Sequence, residues 1–89
     1  MNTTVVHCRR EPYDVYIGRP SIFGNPFRIG RDGTREEVIA KYAAWVKTQP
    51  QIMAQVPSLR GKRLGCYCSP DACHGDVLAR LADEETTDA

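Results

Sequence analysis

Thr34-Arg35-Glu36-Glu37 opens a helix, and that helix lies between two β-prone runs. The four residues form a capping-box pattern. The Thr34 hydroxyl can accept from the Glu37 N–H, and the Glu37 carboxylate can reach back to the Thr34 N–H. Val38, Ile39, Tyr42, Trp45 and Val46 then recur at spacings of three and four, and the apolar face ends before Pro50. Trp45 on this stripe is predicted to be buried core. Thr3 to Cys8 upstream and Arg63 to Cys68 downstream read as strands. The helix between them supplies the crossover that parallel pairing needs, so the two strands are expected to be parallel neighbours.

The rest of the chain fills in around this unit. Arg9-Arg10-Glu11-Pro12 interrupts the first strand, and Tyr13, Val15 and Ile17 alternate with Asp14 and Tyr16 as a second short strand. Gly18 to Gly33 reads as a loop, with Gly30-Arg31-Asp32-Gly33 as a turn. Phe23, Phe27 and Ile29 suggest that this loop packs down. Ile52, Met53 and Val56 predict a second short helix bounded by Pro50 and Pro57. A last helix runs from about Cys73 to Glu84, with Val77, Leu78 and Leu81 inward. The order β-β-loop-α-α-β-α gives a small α/β domain, with helices packed against a partly parallel sheet. Residues 1–84 are expected to form this single compact domain, and residues 85–89 a frayed acidic tail.

Length and composition exclude several classes. A chain of 89 residues makes one domain, with little room for a deep pocket. At 42% hydrophobic and 26% charged residues, disorder of the body is not expected. No apolar run approaches the ~18 residues of a membrane span. Met1-Asn2-Thr3-Thr4 lacks the features of a signal peptide. A cytoplasmic location is therefore expected, where clustered cysteines mean metal or redox chemistry more often than disulfides. The net charge of +1 hides an asymmetry. Arg9, Arg10, Arg19, Arg28, Arg31 and Arg35 crowd the first 35 residues, against Glu11, Asp14 and Asp32. Residues 64–89 carry Arg80 against Asp71, Asp76, Asp83, Glu84, Glu85 and Asp88. The basic half either faces an anionic ligand or is balanced by the acidic half and by solvent.

The chemistry concentrates in Cys66-Tyr67-Cys68-Ser69-Pro70-Asp71-Ala72-Cys73-His74. Cys66 and Cys68 are two apart on a strand and point to one face, with Tyr67 on the other. Asp71 or Ser69 can cap the helix that follows, and Cys73 and His74 fall in its first turn. Three readings follow. In the first, the helix start holds a phosphate, Cys73 is a reactive thiol, and His74 and Asp76 serve acid–base roles, with Gly75 letting a ligand approach the backbone. In the second, Cys66, Cys68, Cys73 and His74 bind zinc, although the spacing C-x-C-x4-C-H is not that of common zinc modules. His7 or Cys8 is then a substitute ligand if the strands are adjacent. In the third, the cysteines are buried small hydrophobes and His74 is a capping residue; for Cys66 alone this reading is favoured.

A second dense segment is Ile17-Gly18-Arg19-Pro20-Ser21-Ile22-Phe23-Gly24-Asn25-Pro26-Phe27. Arg19 can make a bidentate contact to phosphate or carboxylate. Asn25, before a proline, is held extended. The structural alternative is a compact loop in which Asn25 satisfies its own turn and Arg19 pairs with Asp14 or Asp76. These segments, with Ile29-Gly30-Arg31-Asp32-Gly33, Leu64-Gly65-Cys66-Tyr67-Cys68 and Cys73-His74-Gly75-Asp76-Val77-Leu78, carry a resemblance. From about Val5 to Ala82 the chain resembles a family of small phage and bacterial proteins, domain of unknown function 4326. It departs from that family at Ile22-Phe23, where a Lys-Trp pair is common. The resemblance implies a phage or actinobacterial setting and no settled activity.

The expected function is the binding of a phosphate-bearing small molecule, such as a nucleotide, or of a nucleic-acid end. Arg19, Asn25, Ser69 and Gly75 are the candidate binding residues, and Cys73, His74 and Asp76 the candidate catalytic ones, with no cofactor required. The alternative is a zinc-stabilised, non-enzymatic protein that binds a host protein. The loop Gly18–Phe27 is expected to fold over the helix start at Cys73-His74.

Overall fold

The computed structural model describes residues 2–69 and 71–84. Three strands, β1 (Thr4–His7), β2 (Val15–Tyr16) and β3 (Arg63–Cys66), form one sheet in the order β1-β3-β2. Both outer strands pair with β3 in parallel. Thr4 to His7 register with Arg63 to Cys66, and Val15 and Tyr16 with Leu64 and Gly65. The sheet is thus wholly parallel rather than partly so. The expected α/β class and the pairing of the first and third strands are both present.

The β1–β2 connection is shorter than a helical crossover. The Cys8 N–H donates to the Cys66 carbonyl, and the Asp14 N–H donates to the Arg63 carbonyl. Residues 9–13 therefore run back across one face of β3. A Cβ at Gly65 would sit 2.6 Å from the Tyr13 ring, so that face is open only because position 65 has no side chain. Val15 and Ile17 turn toward the helices, whereas Tyr13 lies over Gly65 on the opposite face. The predicted alternation therefore ends at Tyr13.

The other face carries the helices α1 (Arg35–Val46), α2 (Pro50–Met53) and α3 (His74–Glu84). The capping box of α1 forms as expected. The Glu37 N–H donates to Thr34 Oγ1 at 3.2 Å, and the Thr34 N–H donates to Glu37 Oε1 at 2.8 Å. Val38, Tyr42 and Val46 are buried, with Ile39 half-buried beside them. Trp45 is also half-buried rather than core: it sits at the rim, edge-on to Phe27 at 6.3 Å and tilted against Tyr42 at 5.8 Å. The predicted second helix splits into the single turn of α2 and a 3-10 turn at Val56–Leu59, because Pro57 begins the latter instead of ending the former. In α3, Val77, Leu78 and Ala82 are buried and Leu81 is half-buried. Ile17, Tyr42, Val46, Val56, Leu59, Leu64, Cys66 and Leu78 fill the centre between sheet and helices. The expected acidic tail, 85–89, lies outside the described residues.

Candidate functional site

The loop after β2 is clamped onto α1 and onto the start of α3. The buried Tyr42 hydroxyl donates to the Phe23 carbonyl at 2.8 Å, and Phe23 itself is buried. Asn25 Nδ2 donates to the Val38 carbonyl at 3.3 Å, while Asn25 Oδ1 accepts from the Phe27 N–H at 2.9 Å. The Tyr16 hydroxyl donates to the Arg19 carbonyl at 3.0 Å. From α3, the His74 ring reaches back and donates from Nε2 to the Ile17 carbonyl at 2.7 Å. A carbonyl only accepts, so Nε2 carries the proton in this bond.

These ties leave a cleft of about 510 Å³ between the loop, the α1 start and the end of β3. That volume is in the range of small-molecule sites, about 300–1,000 Å³, and is larger than the chain's length led us to expect. Arg19, Arg28, Arg35, Asn25, Cys66, Cys68, Cys73 and His74 all line it. Arg19 and His74 therefore share one cleft instead of lying on opposite faces. Among the described residues the three arginines are the only Lys, Arg, Asp or Glu side chains in its lining, and no carboxylate faces it. Neither Arg19 nor Arg28 has an ion-pair partner among the described residues, so the expected pairing of Arg19 with Asp14 or Asp76 does not form. Arg35 is fixed from α1: it donates to the Ala72 carbonyl at 3.0 Å and lies 3.9 Å from Asp71.

The thiols form the cleft's second feature. The sulfurs of Cys66, Cys68 and Cys73 all lie within 4.8 Å of one another, and those of Cys66 and Cys73 are 3.3 Å apart. All are free thiols. The Cys66 and Cys68 sulfurs lie on one side, as read from the sequence, although β3 ends at Cys66 and Cys68 sits in the bend beyond it rather than on the expected longer strand. Cys73 joins them from the position just before α3. It is the N-terminal cap: the Gly75 N–H donates to Cys73 Sγ at 3.3 Å, and the Asp76 carboxylate accepts from the Cys73 N–H at 3.1 Å. Hydrogen bonds from Cys66 and then Cys73, reinforced by Arg35, hold the Cys68 thiol well below the ordinary range. Contacts with Cys66 and Cys68, together with burial, push Cys73 up. Of the three sulfurs, that of Cys68 is the half-exposed one and has Arg35 beside it, a setting that favours a thiolate. Burial lowers the His74 pKa and keeps its ring neutral, despite the bond to Ile17.

Several predicted site residues have structural tasks. Asp76 is the reciprocal half of the α3 cap and is absent from the cleft lining. Gly75 does not make room for a ligand: a Cβ there would meet Ile17 Cδ1 at 2.7 Å and both Val5 methyls at 3.1 Å, so its role is close packing of α3 on the sheet. The Asn25 amide is committed to Val38 and Phe27. Ser69 is half-buried and outside the lining. His74 is not grouped with the three sulfurs: Nε2 is turned to Ile17, and Nδ1 also lies outside the group. Cys8 and His7 also lie outside that group. Sequence reasoning did not single out Arg28 and Arg35; the available signal was the crowding of arginine in the first 35 residues.

No solved structure matches the chain significantly. Two viral relatives do. One is an uncharacterised 12.4 kDa protein in the nrdA-td intergenic region of Enterobacteria phage T4, 36% identical, with 89% of this chain and 76% of that protein covered. Another is an uncharacterised protein of Acanthamoeba polyphaga mimivirus, 32% identical, with coverage of 90% and 71%. The family model for the domain of unknown function DUF4326 matches residues 3–84, which takes in the strands, the arginine cleft and the thiol trio together, so the chain belongs to that family.

Proposed function

We propose that the cleft binds a phosphate-bearing ligand, a nucleotide or a nucleic-acid end, in a reducing cytoplasmic setting. The observation that carries this reading is the lining charge: Arg19, Arg28 and Arg35 with no carboxylate in the lining among the described residues, and with Arg35 alone paired from outside it, to Asp71. Guanidinium groups match phosphate oxygens bidentately, and two of these three have no ion-pair partner in the fold. Tyr16 and Phe27 in the same lining give an apolar flank against which a base can lie. The Cys73-His74 helix start adds backbone N–H groups, although the first of them are already engaged by Cys73 and Asp76.

Calorimetric titration with inorganic phosphate, pyrophosphate and mononucleotides tests the reading. Binding is expected at low ionic strength, with weakening as salt rises. Arg19 is exposed, so Arg19→Ala is expected to abolish binding while leaving the melting temperature unchanged. Failure of all three probes to bind at low salt overturns the proposal. Equal binding of a simple dicarboxylate shifts it to a general anion site.

A further inference from the structure

We propose that Cys66, Cys68 and Cys73 together hold one zinc-class divalent cation as a three-thiolate site, with a fourth, exchangeable position toward the arginine cleft. This is independent of the phosphate reading. It also differs from the four-ligand set expected from sequence, because His74 takes no part.

The first argument is distance. Zinc–sulfur bonds of about 2.3 Å in a tetrahedron place the sulfurs roughly 3.8 Å apart. The three sulfurs here lie within 4.8 Å of one another, with Cys66 and Cys73 at 3.3 Å, so small side-chain rotations reach that triangle. Their anchoring is the second argument. Cys66 ends the central strand, and Cys73 is fixed as the α3 cap by Asp76 and by the Gly75 N–H. That N–H points at a sulfur, the contact by which an outer shell orients and stabilises a thiolate ligand.

Charge is the third argument. Three thiolates around a divalent ion leave a net charge of −1. Arg35 lies against Cys68 and is held there by the Ala72 carbonyl, so a cation is in place to offset it. The fourth argument concerns coordination number. Neither His74 ring nitrogen belongs to the group, Nε2 being committed to the Ile17 carbonyl, and Cys8 is outside it, which leaves three protein ligands among the described residues. All three cysteines line the cleft, so an ion among them borders that space. Structural zinc sites are closed by four protein ligands, whereas sites that exchange a ligand keep one position open. A purely apolar role fits Cys66 and Cys73, which are buried. It does not fit Cys68, which is half-exposed at the cleft.

The test uses the full chain, reduced and stripped of metal, then titrated with zinc and with cobalt. One equivalent is expected to bind. Cobalt should give the visible bands of a tetrahedral site and a thiolate charge-transfer band. X-ray absorption of the zinc form should show three sulfurs and one light atom, without the outer-shell pattern of imidazole. Losing an outer-shell partner costs about 10–100-fold in metal affinity, so Cys68→Ala should cost more than that. Cys68 is half-exposed, so this variant decides the matter even where Cys66 or Cys73 variants fail to fold. Cys8→Ala should bind as the parent does. The proposal is overturned by absence of stoichiometric binding, by binding that survives Cys68→Ala, or by a fourth sulfur or an imidazole in the absorption spectrum. Metal binding without phosphate binding would sink the phosphate reading alone.

Discussion

Replacing Tyr42 with Phe removes one oxygen and tests how the site is held together. The Tyr42 hydroxyl is buried and donates to the Phe23 carbonyl at 2.8 Å, from α1 into the loop that carries Arg19 and Asn25. Burial pushes the phenol pKa up, so the group stays a donor wherever the protein is folded. The substitution keeps the ring and its contacts with Trp45 at 5.8 Å and His74 at 5.1 Å. What it leaves is a buried carbonyl without its donor, which costs about 1–3 kcal/mol. For a domain of this size, each kcal/mol lowers the melting temperature by roughly 4–8 °C. Urea unfolding should show the midpoint falling with the slope unchanged. Amide exchange should rise most in residues 18–27, and phosphate should bind more weakly although Tyr42 does not line the cleft. A loss under about 0.3 kcal/mol would refute the reasoning, since it falls below the range for an unpaired buried carbonyl. So would exchange that rises uniformly along the chain.

Other perturbations probe the remaining elements. Gly75→Ala gains helix propensity but drives a methyl into Ile17 and Val5; a net loss of about 1–3 kcal/mol is expected from chemical denaturation, and a neutral result would show that α3 can shift. Trp45→Ala should cost less than the ~3–5 kcal/mol of a fully buried aromatic, because Trp45 is half-exposed at the rim; a larger loss would place it in the core. Bonds from the Thr34 backbone and then its side chain lower the Glu37 pKa. The stabilisation is therefore present above the ordinary carboxylate pKa, about 4.3, and is lost as pH falls through the lower folded value. Glu37→Gln keeps an acceptor for the capping box but does not titrate, so it should flatten the acid limb of the urea midpoint, and an unchanged limb would contradict this assignment.

The sequence by itself determined the elements whose causes are local. A capping box spans four residues and an apolar stripe repeats every three or four, so α1 and its start were readable from Thr34 to Val46. The parallel pairing of β1 and β3 followed from the length of chain between them. The strand–turn–helix setting of the cysteines was legible for the same reason, as was the shared face of Cys66 and Cys68. Tertiary structure decided what depends on distant contacts. Residues 9–13 cross β3 because Gly65, fifty-two positions after Tyr13, leaves space for a ring. The direction of the His74 imidazole is set by the carbonyl of Ile17, fifty-seven positions away. Gly75 looked suited to a ligand, yet its missing side chain is filled by Val5 and Ile17. Arg28 and Arg35 were visible as charges, but only the fold placed them around one cleft with Arg19. Neither periodicity nor spacing encodes which side chains meet when strands and helices pack. That outcome is set by excluded volume and by the need of each buried polar group for a partner.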